Sequence, residues 1–274
     1  MMNHCLLSYP QAPGRLFSYL MAACLALPVF AADSADRNEL LSNPVIRELP
    51  PNDDKPASAI EWFGSVGATY IDAQDGSKLW LTPFALDAQL NRDTTLRVEG
   101  DGFGHIDLDG NTTQGFSNVT LIASHVVFRN AASRVRLAVG ASAPGSDGIG
   151  SSGAKQRVSA SYSRNLSSRW SMLAAGRLTR RNQDPLPGAS RIEQYGRLQT
   201  GYTLDPPIAS SLLPRAVFVL IERTYRHGAG GATQATASYE FPLSATLGGS
   251  ISFTRGLSTG LRDNTVAFDL LFGF

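Results

Sequence analysis

Three histidines lie beyond the first thirty residues, at His105, His125 and His227, and they are the natural place to look for catalysis. Hydrolytic chemistry needs a nucleophile and a base facing one pocket. Ser124-His125 cannot supply that from a strand, because adjacent strand residues point to opposite faces. His105-Ile106-Asp107 places an imidazole and a carboxylate on one face of a loop stem, the beginning of a dyad without its nucleophile. Asp107-Leu108-Asp109-Gly110-Asn111 has the alternating oxygens of a calcium loop. Its glycine is misplaced and no glutamate closes it, so an EF-hand is rejected and a solvated turn is expected. Gly100-Asp101-Gly102-Phe103-Gly104 precedes no helix that could receive a phosphate, and reads as a loop entry. Arg180-Arg181 reads as facing surface phosphates or solvent. No cofactor, metal site or enzyme is expected.

A different set of polar residues recurs in the middle of extended segments, each on a single face. It comprises Asp87, Arg97, Glu99, Arg136, Arg157, Arg177, Glu193, Arg197, Glu222, Glu240 and Asp269. Charges placed this way suit the lining of an aqueous path, where opposite rings set selectivity. They suit equally a polar core that pairs up and fills the space. Both readings stand on the sequence.

The segments that carry them are strands. From residue 61 onward there is no 3.6-residue period, and about twelve stretches near ten residues long follow one another, the length of a tilted strand crossing a bilayer. Trp80, Phe84, Leu86, Ala88 and Leu90 oppose Asp87 and Gln89. Leu96 and Val98 oppose Arg97 and Glu99, and Val135, Leu137 and Val139 oppose Arg134 and Arg136. The last stretch, Thr265–Phe274, sets Val266, Phe268, Leu270, Phe272 and Phe274 on one face. Val217–Ile221 is apolar on both faces, so its register stays open. Tight connections at Asn91–Asp93, Arg129–Ser133, Asn165–Arg169 and Pro242–Ser244 alternate with longer ones at Phe103–Gly115, Pro144–Ala154, Arg181–Ser190 and Leu257–Asp263. Asp205–Pro214 is long for its place in that alternation.

An apolar outer face, a polar inner face and alternating loop lengths predict an all-β fold, an antiparallel transmembrane β-barrel of about twelve strands at residues 61–274. An even count puts both ends in the periplasm. Aromatics near strand ends, among them Trp80, Trp170, Tyr162, Tyr202, Tyr239 and Phe274, fit interfacial girdles. A soluble sandwich gives similar alternation but shorter strands.

Residues 1–31 read as a signal peptide, with Arg15 before an apolar run to Phe30 and Val29-Phe30-Ala31 at the cleavage positions. Met21–Cys24 is a poor lipoprotein site. Residues 32–60, polar and carrying Pro44, Pro50, Pro51 and Pro56, read as a periplasmic extension or linker. Both cysteines, Cys5 and Cys24, fall within the leader, so no disulfide framework is expected. The net charge of +1 gives no electrostatic case for nucleic acid.

Leu81–Leu86 leading to Thr95–Glu99, then Gly115–Leu121, Leu137–Ser146, Tyr162–Leu166 and Trp170–Met172 resemble a family of bacterial outer-membrane proteins. The family is named after the MetA pathway of phenol degradation and is described as one of transporters. Asn118 stands where that family more often has Asp, and Ser142–Gly145 departs from its Pro-Thr-Gly loop. The resemblance implies an outer-membrane barrel and the uptake of apolar or aromatic compounds. Phe268, Leu270, Phe272 and Phe274 resemble the closing-strand signal read by the outer-membrane assembly machinery.

The reading is therefore a bacterial outer-membrane channel or transporter for passive passage of a small solute. Its partners are outer-membrane lipid, lipopolysaccharide, the assembly machinery and the solute. The alternatives are a closed structural or loop-binding barrel and an outer-membrane lipid hydrolase.

Overall fold

The computed structural model describes residues 60–73, 76–108, 110–145, 153–182, 190–204, 215–228, 230–258 and 263–273. The leader, residues 32–59 of the extension, the Asp205–Pro214 connection and Phe274 lie outside them. Fifteen strand segments follow in chain order. They are β1 (Glu61–Asp72), β2 (Lys78–Leu81), β3 (Phe84–Gln89), β4 (Thr94–Gly100), β5 (Phe103–Leu108), β6 (Asn111–Phe116), β7 (Val119–Arg129) and β8 (Ser133–Ala143). Then come β9 (Lys155–Asn165), β10 (Trp170–Arg181), β11 (Ile192–Thr203), β12 (Ala216–Arg226), β13 (Gly230–Pro242), β14 (Leu247–Gly256) and β15 (Asn264–Gly273).

Three pairs, β2 with β3, β4 with β5 and β6 with β7, are each one stave interrupted once, so twelve antiparallel staves form the wall. The circle closes where β15 pairs with β1 from Phe63↔Gly273 to Asp72↔Asn264. Closure leaves the main wall without an open edge, which a sheet in hydrocarbon requires, while β6 pairs with β5 alone among the described residues.

The interruptions line up across neighbouring staves at Thr82-Pro83, Asp101-Gly102 and Ser117-Asn118. Pro83 has no N–H for the ladder, and side chains take over: Phe103 N donates to Thr82 Oγ1 at 2.9 Å and Asp101 N to Ser117 Oγ at 2.7 Å. Gly102 sits at φ +63°, and a Cβ there would meet Thr82 O at 2.1 Å, so only glycine fits this bend.

The expected loop Phe103–Gly115 is a correction. It is a continuation of the wall: β5 and β6 pair from Phe103↔Phe116 to Leu108↔Asn111, with Gly110 at φ +80° in the turn. Thr112, Thr113 and Gln114 are all exposed, so β6 carries no apolar face and lacks the alternation that marks the other strands.

The outward side chains are apolar. Val139, Val158, Leu178, Val219, Ile221, Ile251, Phe253 and Val266 are each exposed, as a surface solvated by lipid tails would have them. Aromatic pairs stand at both ends of the wall. Trp170–Tyr202 (4.8 Å) and Tyr239–Phe241 (5.6 Å) lie by the short turns, and Tyr70–Trp80 (4.7 Å) and Phe103–Phe116 (5.7 Å) lie by the longer loops. Val217–Ile221 resolves in register: Val217, Val219 and Ile221 face out, while Leu220 is buried inside and Phe218 covers Gly201.

Candidate functional site

The interior is built by parity. A residue opposite an inward residue across an antiparallel ladder also points inward, so Asp87↔Arg97, Arg177↔Tyr195 and Arg197↔Glu222 each meet inside the barrel. A partly open chamber of about 90 Å³ is lined by Asp87, Arg97, Glu99, Arg136, Arg157 and Arg177, together with Tyr195 and the hydroxyls of Thr95, Ser124, Ser159 and Ser161.

One network runs along its wall. Arg97 forms a two-pronged pair with Asp87, Nε to Oδ1 at 2.7 Å and Nη2 to Oδ2 at 2.6 Å, the planar match that guanidinium and carboxylate favour. Arg97 Nη1 also stands 3.6 Å from Glu99 Oε2. Glu99 Oε1 accepts from Arg157 Nη2 at 2.6 Å. That last contact links β4 to β9 past the two intervening staves, and a Cβ on Gly140 would lie 3.0 Å from Arg157 Nε.

A second network occupies the next arc. Glu193 holds Arg181 at 2.6 Å, with Arg177 at 3.8 Å. Arg177 lies over the Tyr195 ring, 4.5 Å from its centre. The Tyr195 hydroxyl donates to Glu222, which also accepts from Gln234 at 2.9 Å and stands 3.7 Å from Arg197. Arg197 donates to Gln199. Glu240 is buried on β13, and Asp269 Oδ2 accepts from Ser250 Oγ at 3.2 Å.

Of the proposed lining residues, the first six thus share one chamber. Glu193, Arg197 and Glu222 form the adjoining network, and Glu240 and Asp269 sit on later staves. Sequence reasoning missed three participants. Tyr195 shares parity with Glu193 and Arg197, which would have placed it. Gly140, a mid-strand glycine opposite Arg157, marks a close approach. Arg181 was expected outside with Arg180. Only Arg180 is exposed, and Arg181 is 5% exposed and paired inside, because consecutive strand residues diverge.

The histidines are placed elsewhere. Gln114 Nε2 donates to His105 Nδ1 at 3.0 Å on the β5–β6 hairpin, and Asp107 Oδ1 accepts from Gly110 N at 3.2 Å, closing the turn. His125 Nδ1 and Thr94 Oγ1 share a hydrogen bond of 3.0 Å, while Ser124 points into the chamber. Where the loops meet the wall, the interior becomes apolar: Ile71, Leu79 and Leu81 are buried together with Ile106 against them.

A closed antiparallel barrel with an apolar outside and a charged inside is a bacterial outer-membrane β-barrel by fold. No family model and no curated protein matches the sequence. Solved structures do match in shape. An outer-membrane channel from Pseudomonas putida F1 superposes with TM-score 0.62 at 17% identity, over 83% of this chain and 100% of that one. The NanC porin gives 0.56 at 11% identity, over 78% and 99%, and the KdgM porin 0.52 at 10%, over 77% and 99%. These proteins are channels and porins, and the fold is shared with them.

Proposed function

We propose that this chain is an outer-membrane channel that lets a small solute, apolar or aromatic in its body, pass down its gradient without a cofactor and without catalysis. The chamber carries the proposal: it lies within the wall, is partly open and is lined by hydroxyl and charged groups. The likeness in fold to outer-membrane channels supports it. The apolar patch of Ile71, Leu79, Leu81 and Ile106 at the loop end supports an apolar component in the solute. Membership of the MetA-pathway family is part of the same reading, on the sequence resemblance together with that fold. The exposed apolar band meets lipid, the loop ends meet lipopolysaccharide, and Phe268, Leu270 and Phe272 on β15 serve as the assembly signal.

One observation favours a second reading, a barrel closed by its own side chains. The Arg157–Glu99 pair braces the wall from the inside and narrows the path. Single-channel recording of the purified full chain in a planar bilayer, with and without phenol, separates the two. Discrete openings that phenol blocks support passage. Silence from folded, inserted protein overturns it in favour of the closed barrel.

A further inference from the structure

We infer that the chamber is a carboxylate site, that Arg136 is the residue that meets the anion, and that the solute is an organic acid with an apolar body. The inference rests on the channel reading for the direction of traffic, and on the chamber alone for the chemistry. Four guanidiniums, from Arg97, Arg136, Arg157 and Arg177, face two carboxylates, from Asp87 and Glu99, and Glu193, already held by Arg181, stands 3.8 Å from Arg177. Both carboxylates are already taken: Arg97 grips Asp87 with two hydrogen bonds, and Arg157 holds Glu99 at 2.6 Å. The chamber therefore carries surplus positive charge inside a wall of low dielectric, which concentrates anions and repels cations.

Arg136 is the group left over. It makes no hydrogen bond or ion pair with any described residue, and its Nε is buried without an acceptor. A guanidinium presents a planar fork of donors that fits a carboxylate, and a donor hidden from water without an acceptor is costly until one arrives. Beside it, Ser161 is its cross-strand partner and supplies a hydroxyl. Ile122, Ala138 and Ala175 give the same chamber apolar surface for the body of the ligand. Charge at one point and grease around it describe a small apolar carboxylate rather than a bare inorganic ion or a sugar.

The test uses the full chain in a planar bilayer under a KCl gradient, with benzoate, benzamide and acetate as probes. The reversal potential is expected to report anion preference. Benzoate is expected to block the current at concentrations at least about tenfold below those of neutral benzamide and of acetate, as loss of a charge-assisted contact or of apolar burial implies. Arg136→Gln should raise the benzoate concentration for half-block by about tenfold or more, and Arg136→Lys, which keeps charge but loses the fork, should fall between. Cation preference, equal block by benzoate and benzamide, or no change in Arg136→Gln would each overturn the site. Should the folded barrel be silent, calorimetric titration of benzoate into the detergent-solubilised chain decides separately. Binding weakened by Arg136→Gln then upholds the carboxylate site while the channel reading falls, and binding that Arg136→Gln leaves unchanged overturns the site as well.

Discussion

Arg157 reaches Glu99 by lying against the bare backbone of Gly140: its Nη2 is 2.6 Å from the carboxylate, and a Cβ on Gly140 would lie 3.0 Å from its Nε. An ion pair that spans two staves passes over a position where any side chain would have to push Arg157 aside. Gly140→Val is therefore expected to displace Arg157 and break the brace while leaving the wall closed. Single-channel conductance should rise, and Glu99→Gln should mimic the rise without altering the backbone. Unchanged conductance in both variants would mean that the brace does not define the narrow point.

The Asp87–Arg97 pair is a two-pronged ion pair with side chains only 10% and 14% exposed. Removing one partner strands the other charge. Asp87→Ala should destabilise the protein by about 2–3 kcal/mol, less than the roughly 3–5 kcal/mol of a fully buried pair because Glu99 stays near Arg97. The double change Asp87→Leu with Arg97→Met should recover most of that loss. Equilibrium urea unfolding in lipid vesicles measures both, and additive losses would refute the coupling.

Phe218 sits on Gly201 inside the barrel, and a Cβ at Gly201 would be 2.6 Å from its ring. Overpacking of this kind costs about 1–3 kcal/mol. Gly201→Ala should show that loss in the same unfolding assay, and Phe218→Leu introduced alongside it should relieve part of the cost. A Gly201→Ala variant as stable as the parent would place the ring elsewhere.

Ile221 lies at the centre of β12, facing outward and 47% exposed. In water an exposed Ile→Arg change is nearly neutral. At the middle of a bilayer it costs about 2–4 kcal/mol. Folding of Ile221→Arg into vesicles, read against Ile221→Ala, tells which solvent this face meets. A cost near zero would exclude hydrocarbon.

The strands were legible wherever the outer face is apolar and the inner one polar, as at Leu96–Glu99 and Val135–Val139, because the two solvents write the alternation into the chain. It failed where one solvent meets both faces. Thr112, Thr113 and Gln114 are wet on both sides of β6, and their strand passed for loop. It failed also where both faces are apolar: Leu220 and Phe218 fill the interior behind Val219, so neither side of Val217–Ile221 stood out. The inward charges could be located because a mid-strand charge has nowhere else to go. Their pairings could not, since Glu99 and Arg157 are distant in sequence and meet across two staves that only the three-dimensional register brings between them. Arg181 was misread for a local reason, because a doublet of like charges hides the fact that its members face opposite ways.

The pairing of β15 with β1 joins segments that are roughly two hundred residues apart, so the contact is almost as non-local as the chain allows, and its loop-closure cost is met in a single step. Asp269 lies close over Gly67 at that seam, where a Cβ would be 2.1 Å from its carboxylate oxygen. Until β15 has been synthesised and docked, the growing sheet has two raw edges, each a template for the wrong neighbour. The rate at which the barrel becomes safe from aggregation is therefore the rate at which this one seam zips shut. A destabilised Gly67–Asp269 contact should betray itself as slow insertion and misassembly long before it lowers the stability of the finished protein.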